Sequence, residues 1–164
     1  MVSADVQQLF RQHYLGLVRL AMRLVDDQES AEDLVQDVFA ALPRRFPDSV
    51  DEPLGYLRAA VVNRSRSALR RRMVARAFWS RHQVEDTVEA AEHSTMRSAD
   101  RVEMLQAIGR LPRRQREVIV LRYYEDLPVG EIASVLKTSP GAVSSALNRA
   151  LAALSSNKET AHVH

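Results

Sequence analysis

The chain has 164 residues, 46% hydrophobic and 27% charged, with a formal net charge of only +2. That apolar share supports one domain or two small ones and argues against global disorder. The absence of Cys excludes disulfides, thiolate chemistry and cysteine metal sites, and without an apolar run of about 18 residues the expected class is a soluble, cytoplasmic protein with no membrane insertion.

The charge is segregated. Residues 1–53 carry five basic and ten acidic residues, 54–82 carry eight Arg and no acid, 83–103 carry two basic and six acidic, and 104–164 carry eight basic and five acidic. Alternating blocks of this kind fit several electrostatically distinct contact surfaces. Abundant Ala, Leu, Arg and Glu, with no long alternating stretch, predict an all-α fold.

The first helix is predicted from about Ser3, a candidate N-cap, to Val25, with Val6, Leu9/Phe10, Leu17, Leu20, Ala21 and Leu24 in its apolar stripe. Asp26-Asp27 interrupt the pattern. A second helix runs from about Glu29 to Arg45. Ala31, Leu34, Val35, Val38, Phe39 and Leu42 form its packed face, opposite a polar face of Glu29, Glu32, Asp33, Gln36 and Asp37. Acids early in a helix favour its dipole, so this face reads equally as a solvated surface or a docking surface. Pro43, Pro47 and Pro53 bracket a loop, RRFPDSVDEP, and Pro53 suits the first turn of the next helix.

That helix, LGYLRAAVVNRSRSALRRRMVARAFWSRH, places Leu54, Leu57, Val61, Ala68 and Leu69 at helical spacing among eight arginines. One buried stripe with a one-signed exposed face suits a polyanion, an acidic partner or a membrane surface. Phe78 and Trp79 close it and read more readily as a hydrophobic anchor than as a base-stacking surface. Residues 83–99 have no apolar period and read as an acidic linker. His82, Glu85, Glu89 and His93 follow no metal-ligand motif, and no cofactor is expected.

A second domain starts near Asp100. Val102, Leu105 and Ile108 define a helix stopped near Gly109, and Leu111-Pro112 opens another, with Val118, Ile119, Leu121 and Tyr123 as its apolar contacts. Pro128 to Leu136 forms a short helix and Lys137-Thr138 a tight turn. Ser139 caps a longer helix whose buried stripe is Val143, Leu147, Leu151 and Leu154. Two short-linked helices, the second capped, make a helix-turn-helix pattern. Its exposed residues are Ala142, Ser144, Ser145, Asn148 and Arg149; amides near Ser139–Gly141 suit a phosphate, Ser144, Ser145 and Asn148 suit base edges or backbone, and Arg149 suits phosphate.

AEDLVQDVFAAL with EPLGYLRAAVVNRSRSALRRR, followed by LPRRQREVIVLRYYEDLPVGEIASVLKTSPGAVSSALNRALAAL, resembles the second and fourth regions of bacterial sigma factors of the sigma-70 family, extracytoplasmic-function group. The resemblance implies two small helical domains joined by a flexible linker: a region-2-like domain at 1–82, the linker at 83–99, a region-4-like helix-turn-helix domain at 100–155 and a disordered tail at 156–164. It implies docking of Asp33, Gln36 and Asp37 on core RNA polymerase, through its two largest subunits. It implies capture of a flipped −10 base by the loop containing Ser49, contacts of Asn63, Arg64, Arg66, Arg70 and Arg71 with opened −10 DNA, and reading of −35 duplex by Ser139, Gly141, Ser144, Ser145, Asn148 and Arg149. An anti-sigma factor is an expected partner alongside promoter DNA. The chain departs from the family pattern at Tyr56, where Trp is usual, at Lys137, where Gly is common, and at Ser144, Ala146 and Ala152, where basic residues are frequent. Fewer cations mean weaker, less salt-sensitive DNA binding by the second domain alone.

Three rival classes make different demands. A stand-alone helix-turn-helix regulator that dimerises through its first domain would bind a palindromic duplex tightly without polymerase. A nucleic-acid enzyme would need clustered carboxylates for metal. A non-DNA module would use the arginine helix on an acidic protein.

Overall fold

The computed structural model describes residues 5–43, 52–80 and 97–161. The fold is all-α, in two helical subdomains. The first contains α1 (Val6–Leu24), α2 (Gln28–Ala40) and α3 (Pro53–Ser80). The second contains α4 (Arg97–Gly109), α5 (Arg113–Ile119) continued by a π-helical turn (Val120–Tyr124), α6 (Val129–Leu136) and α7 (Pro140–Ala161). The expected linker, except for its last residues at the start of α4, lies outside the described residues, as do Ser3, Ser49 and most of the proline-bracketed loop.

The first subdomain packs α1, α2 and α3 mutually. Leu17, Leu20, Ala21 and Leu24 of α1 meet the core that also holds Ala31, Leu34, Val35 and Val38 of α2 and Leu57, Val61 and Val62 of α3. Each side chain of Val or Leu size removed from water there contributes about 1.5–3 kcal/mol before entropy is charged against it. Asp5, rather than Ser3, caps α1 by accepting from the Gln7 N–H at 3.1 Å. An Asp carboxylate caps as well as a Ser hydroxyl, so the helix start moves two residues without changing the buried stripe.

Asp27 caps α2. Its carboxylate accepts from the backbone N–H and the hydroxyl of Ser30 at 2.7 and 2.8 Å, and it also binds the guanidinium of Arg72 on α3. Burial acts to raise the Asp27 pKa, but the Ser30 and Arg72 interactions together outweigh it and hold the carboxyl below its ordinary value. The unfolded chain therefore takes up the proton first on acidification. The stabilisation is complete above the unfolded pKa and is lost as the pH falls through the native one. Asp27→Ala is accordingly expected to cost about 1 kcal/mol at neutral pH, and the difference from wild type should shrink in acid below the native pKa. Urea unfolding at several pH values measures both.

In the second subdomain α7 packs on α4, α5 and α6. Ser139 caps α7, its Oγ accepting from the Ala142 N–H at 3.1 Å. The turn before it is a Schellman-type ending: the Thr138 N–H reaches the Ala133 carbonyl at 2.9 Å, with Lys137 left-handed at φ 53°, ψ 52°. A Cβ in that region costs roughly 1–2 kcal/mol, offset in part by the extra freedom glycine gives the unfolded chain. Lys137→Gly is expected to raise stability by about 0.5–1 kcal/mol, read as a higher midpoint in thermal unfolding.

Four expectations of packing are corrected. The buried face of α7 is Val143, Ala146, Leu147 and Ala150, whereas Leu151 is 40% exposed and Leu154 only half-buried. Small alanines let α7 approach its neighbours closely, and Leu151 falls on the rim. Tyr123 is exposed, because it lies in the π-helical turn, whose wider winding departs from the α-helical spacing used to place it. On α4 the inward residues are Met104 and Ile108, with Val102 and Leu105 turned towards the surface. Phe78 is 59% exposed, so it is not a buried anchor for the end of α3. In addition, α7 remains helical to Ala161, through residues expected to belong to the tail.

Candidate nucleic-acid interface

The α2–α3 hairpin brings two charged rows together. Asp33, Gln36 and Asp37 are all exposed on α2, while Phe39 is buried in the core and cannot contact a partner. On the facing wall, Arg64, Arg71 and Arg72 of α3 border a groove of about 410 Å³ that Asp33 and Asp37 close on the other side. Arg64 and Asp37 approach to 4.0 Å, and both are well exposed. Such an exposed pair contributes little to stability and remains exchangeable for other partners. Gln36 reaches the Tyr14 hydroxyl at 3.4 Å, which ties its amide to α1.

Along α3, Asn63, Arg64, Arg70 and Arg71 are exposed, and among the described residues no carboxylate lies within 4.0 Å of Arg70 or Arg71. Arg72 is instead committed to Asp26 and Asp27, where it braces the α1–α2 corner. Arg66 also differs from its neighbours. Its Nε and Nη2 donate to the two carboxylate oxygens of Glu117 at 2.7 and 2.8 Å. Arg66 is 19% exposed and Glu117 only 2%. The Glu117 hydrogen bonds raise the Arg66 pKa against the opposing effect of burial. Arg66 is thus not part of the open cationic face in this conformation.

Ser139, Gly141, Ser144, Ser145, Asn148 and Arg149 are all exposed, with Val143 and Leu147 facing the core. One helix surface therefore offers hydroxyls, an amide and a guanidinium together, a combination able to meet both base edges and phosphates.

A set of contacts between the two subdomains escaped sequence reasoning. Besides Arg66–Glu117, Arg58 of α3 pairs with Glu125 at 3.0 Å, both largely buried. Arg116 donates to the Arg23 carbonyl at 2.8 Å and lies 3.7 Å from Asp26. Burial pushes the Arg116 pKa down, with Asp26 opposing. The Arg23 guanidinium sits over the Tyr124 ring at 4.2 Å from its centroid, a favourable cation–π placement. One signal was available. Glu117 lies within a buried run, four residues before Leu121, so helical spacing turns it inward, where a carboxylate requires a cation.

No group of three or more metal-ligating side chains occurs among the described residues, and no helix there is long and apolar enough to cross a membrane.

Residues 9–74 match the family model for Sigma-70 region 2, and residues 101–154 match that for Sigma-70, region 4. The chain is similar to the RNA polymerase sigma-E factor of Streptomyces antibioticus, 33% identical over 158 residues that span 95% of this chain and 86% of that one. It is also similar to the RNA polymerase sigma-E factor of Streptomyces coelicolor, 32% identical over 158 residues, 92% of this chain and 84% of that one. Two solved structures share the fold. The sigma factor RpoE, in complex with the anti-sigma factor NepR from Bartonella quintana, superposes with a TM-score of 0.67 at 20% identity, over 90% of this chain and 92% of that one. CnrH, in complex with the cytosolic domain of CnrY, superposes with a TM-score of 0.65 at 23% identity, over 94% of this chain and 88% of that one. With both regions matched in order and the sigma-E relatives aligned over most of their length, the chain belongs to the extracytoplasmic-function group of the sigma-70 family, RNA polymerase sigma factors that act in transcription initiation.

Proposed function

We propose that this sigma factor docks on core RNA polymerase through Asp33, Gln36 and Asp37, holds opened −10 DNA along α3, and reads −35 duplex with α7. The observation that carries this reading is the pairing of an exposed acidic row on α2 with an exposed Asn63–Arg64–Arg70–Arg71 row on α3, separate from the capped, polar face of α7. Opening a promoter costs a few kcal/mol of unstacking and unpairing, which cations and a base pocket along the displaced strand offset. Ser49 would contribute to that pocket. On α7, Ser139 and Gly141 would meet phosphate, Ser144, Ser145 and Asn148 would meet base edges or backbone, and Arg149 would hold phosphate. Because only Arg149 is cationic among the six, the −35 contact is light and depends on polymerase for much of its grip.

An anti-sigma factor is the proposed antagonist, supported by the fold shared with RpoE, which is bound by the anti-sigma factor NepR. Run-off transcription with core polymerase over a promoter library tests the reading. It predicts weak DNA binding by the chain alone and specific transcripts once core enzyme is present. Tight palindromic duplex binding without core, and no specific transcript with it, would replace this reading with that of a stand-alone regulator.

A further inference from the structure

We propose that the two halves of the free chain form a closed, self-masking state, latched by Glu117 and Glu125 of the second half on Arg66 and Arg58 of α3, and that the latch must release before α3 can take single-stranded −10 DNA. The proposal rests on the reading of α3 as the −10 surface. Arg58 and Arg66 stand two turns apart on α3, and they meet two carboxylates eight residues apart on α5 and the end of its π-helical turn. The Arg66–Glu117 pair is bidentate, and its carboxylate is almost fully withdrawn from water. A planar fork on a carboxylate gives a defined register as well as attraction.

The latch does not stand alone. Asp26 lies near both Arg72 of its own half and Arg116 of the other, and Arg23 reaches Tyr124, so the α1–α2 corner is joined to α5 and the π-helical turn as well. Helices α1 and α3 also pack against the π-helical turn, α4 and α6 of the second half. The surface thus joined includes one of the guanidinium groups expected on the opened strand. DNA and the second half therefore compete for Arg66. Charges held at a contact of this kind are strongly unfavourable if one partner is neutralised while the other stays enclosed, and separation lets the remaining charge hydrate. Neutralising Glu117 should accordingly favour the open form.

The test uses the full chain. Because the sequence has no Cys, Gln8→Cys and Ala152→Cys provide two unique fluorophore sites, on α1 and α7. Energy transfer between them is measured in three backgrounds: otherwise unchanged, with Glu117→Gln, and with Glu125→Gln. Circular dichroism checks that helix content is retained, and Glu125→Gln supplies a second, less buried perturbation should Glu117→Gln unfold the chain. Each folded neutralising variant is expected to shift the population to longer separations and to tighten binding of a −10 single-stranded oligonucleotide by about five- to tenfold, a modest intramolecular coupling. Unchanged separation in the folded variants, or a longer separation with unchanged oligonucleotide binding, would overturn self-masking. Run-off transcription with core enzyme separates this outcome from failure of the functional reading. Specific transcripts with no shift in separation reject the latch alone, whereas loss of specific transcripts from the unsubstituted chain rejects the promoter role that the latch is proposed to control.

Discussion

Asp33→Arg combined with Asp37→Arg is expected to weaken binding to core RNA polymerase by about a hundredfold, the scale of replacing charge attraction by repulsion at an interface. Both residues are surface groups on α2; Asp37 is 61% exposed, and its only ion pair among the described residues is the loose one to Arg64. The fold should therefore survive, because the residues that seat α2 are Ala31, Leu34, Val35, Val38 and Phe39, all buried. The double reversal places new positive charge beside Arg64, but exposed pairs of this kind are worth about 1 kcal/mol or less. Sedimentation or fluorescence titration with core enzyme reads the affinity, and thermal unfolding of the free variant reads the fold. A variant that unfolds normally yet binds core as tightly as wild type would remove α2 from the docking surface.

The second large effect concerns α3. Asn63→Ala with Arg64→Ala removes one amide and one guanidinium from the exposed face, and hydrogen bonds to charged groups are worth about 1.5–3 kcal/mol each. Promoter opening by the holoenzyme is expected to fall by at least about tenfold to a hundredfold, the scale of losing a single such bond. Duplex recognition by α7 should be little changed, since Val143, Ala146, Leu147 and Ala150 seat that helix independently of either substituted residue. Arg66 is a poorer choice for this test, because its replacement would also release Glu117 and so confound contact with closure.

Local chemistry explains what was legible in the sequence. The Ser139-Pro140 start of α7 and the Val143/Leu147 stripe each follow from the preferences of a few adjacent residues. The exposed acidic row of α2 and the arginines of α3 followed in the same way from helical spacing. Leu151 was misplaced because hydrophobicity ranks Leu above Ala, while packing α7 tightly against its neighbours favours Ala146 and Ala150. Tyr123 was misplaced because a π-helical turn breaks the spacing. The pairing of Arg66 with Glu117 joins residues 51 apart, and no local period reports on such a contact. The exposed arginine face expected of α3 is therefore interrupted at Arg66, whose guanidinium is held by the other half of the chain.

Permanganate and DNase footprinting of a single promoter, with holoenzyme assembled from the wild type and from the Asn63→Ala, Arg64→Ala variant, tests the division of labour most directly. The predicted result is protection of the −35 duplex by both proteins, with reactive unpaired thymines in the −10 element for the wild type and about tenfold fewer for the variant, on the hydrogen-bond scale above. Normal −10 reactivity with the variant, or equal loss of −35 protection and −10 opening, would contradict the assignment of opened DNA to α3.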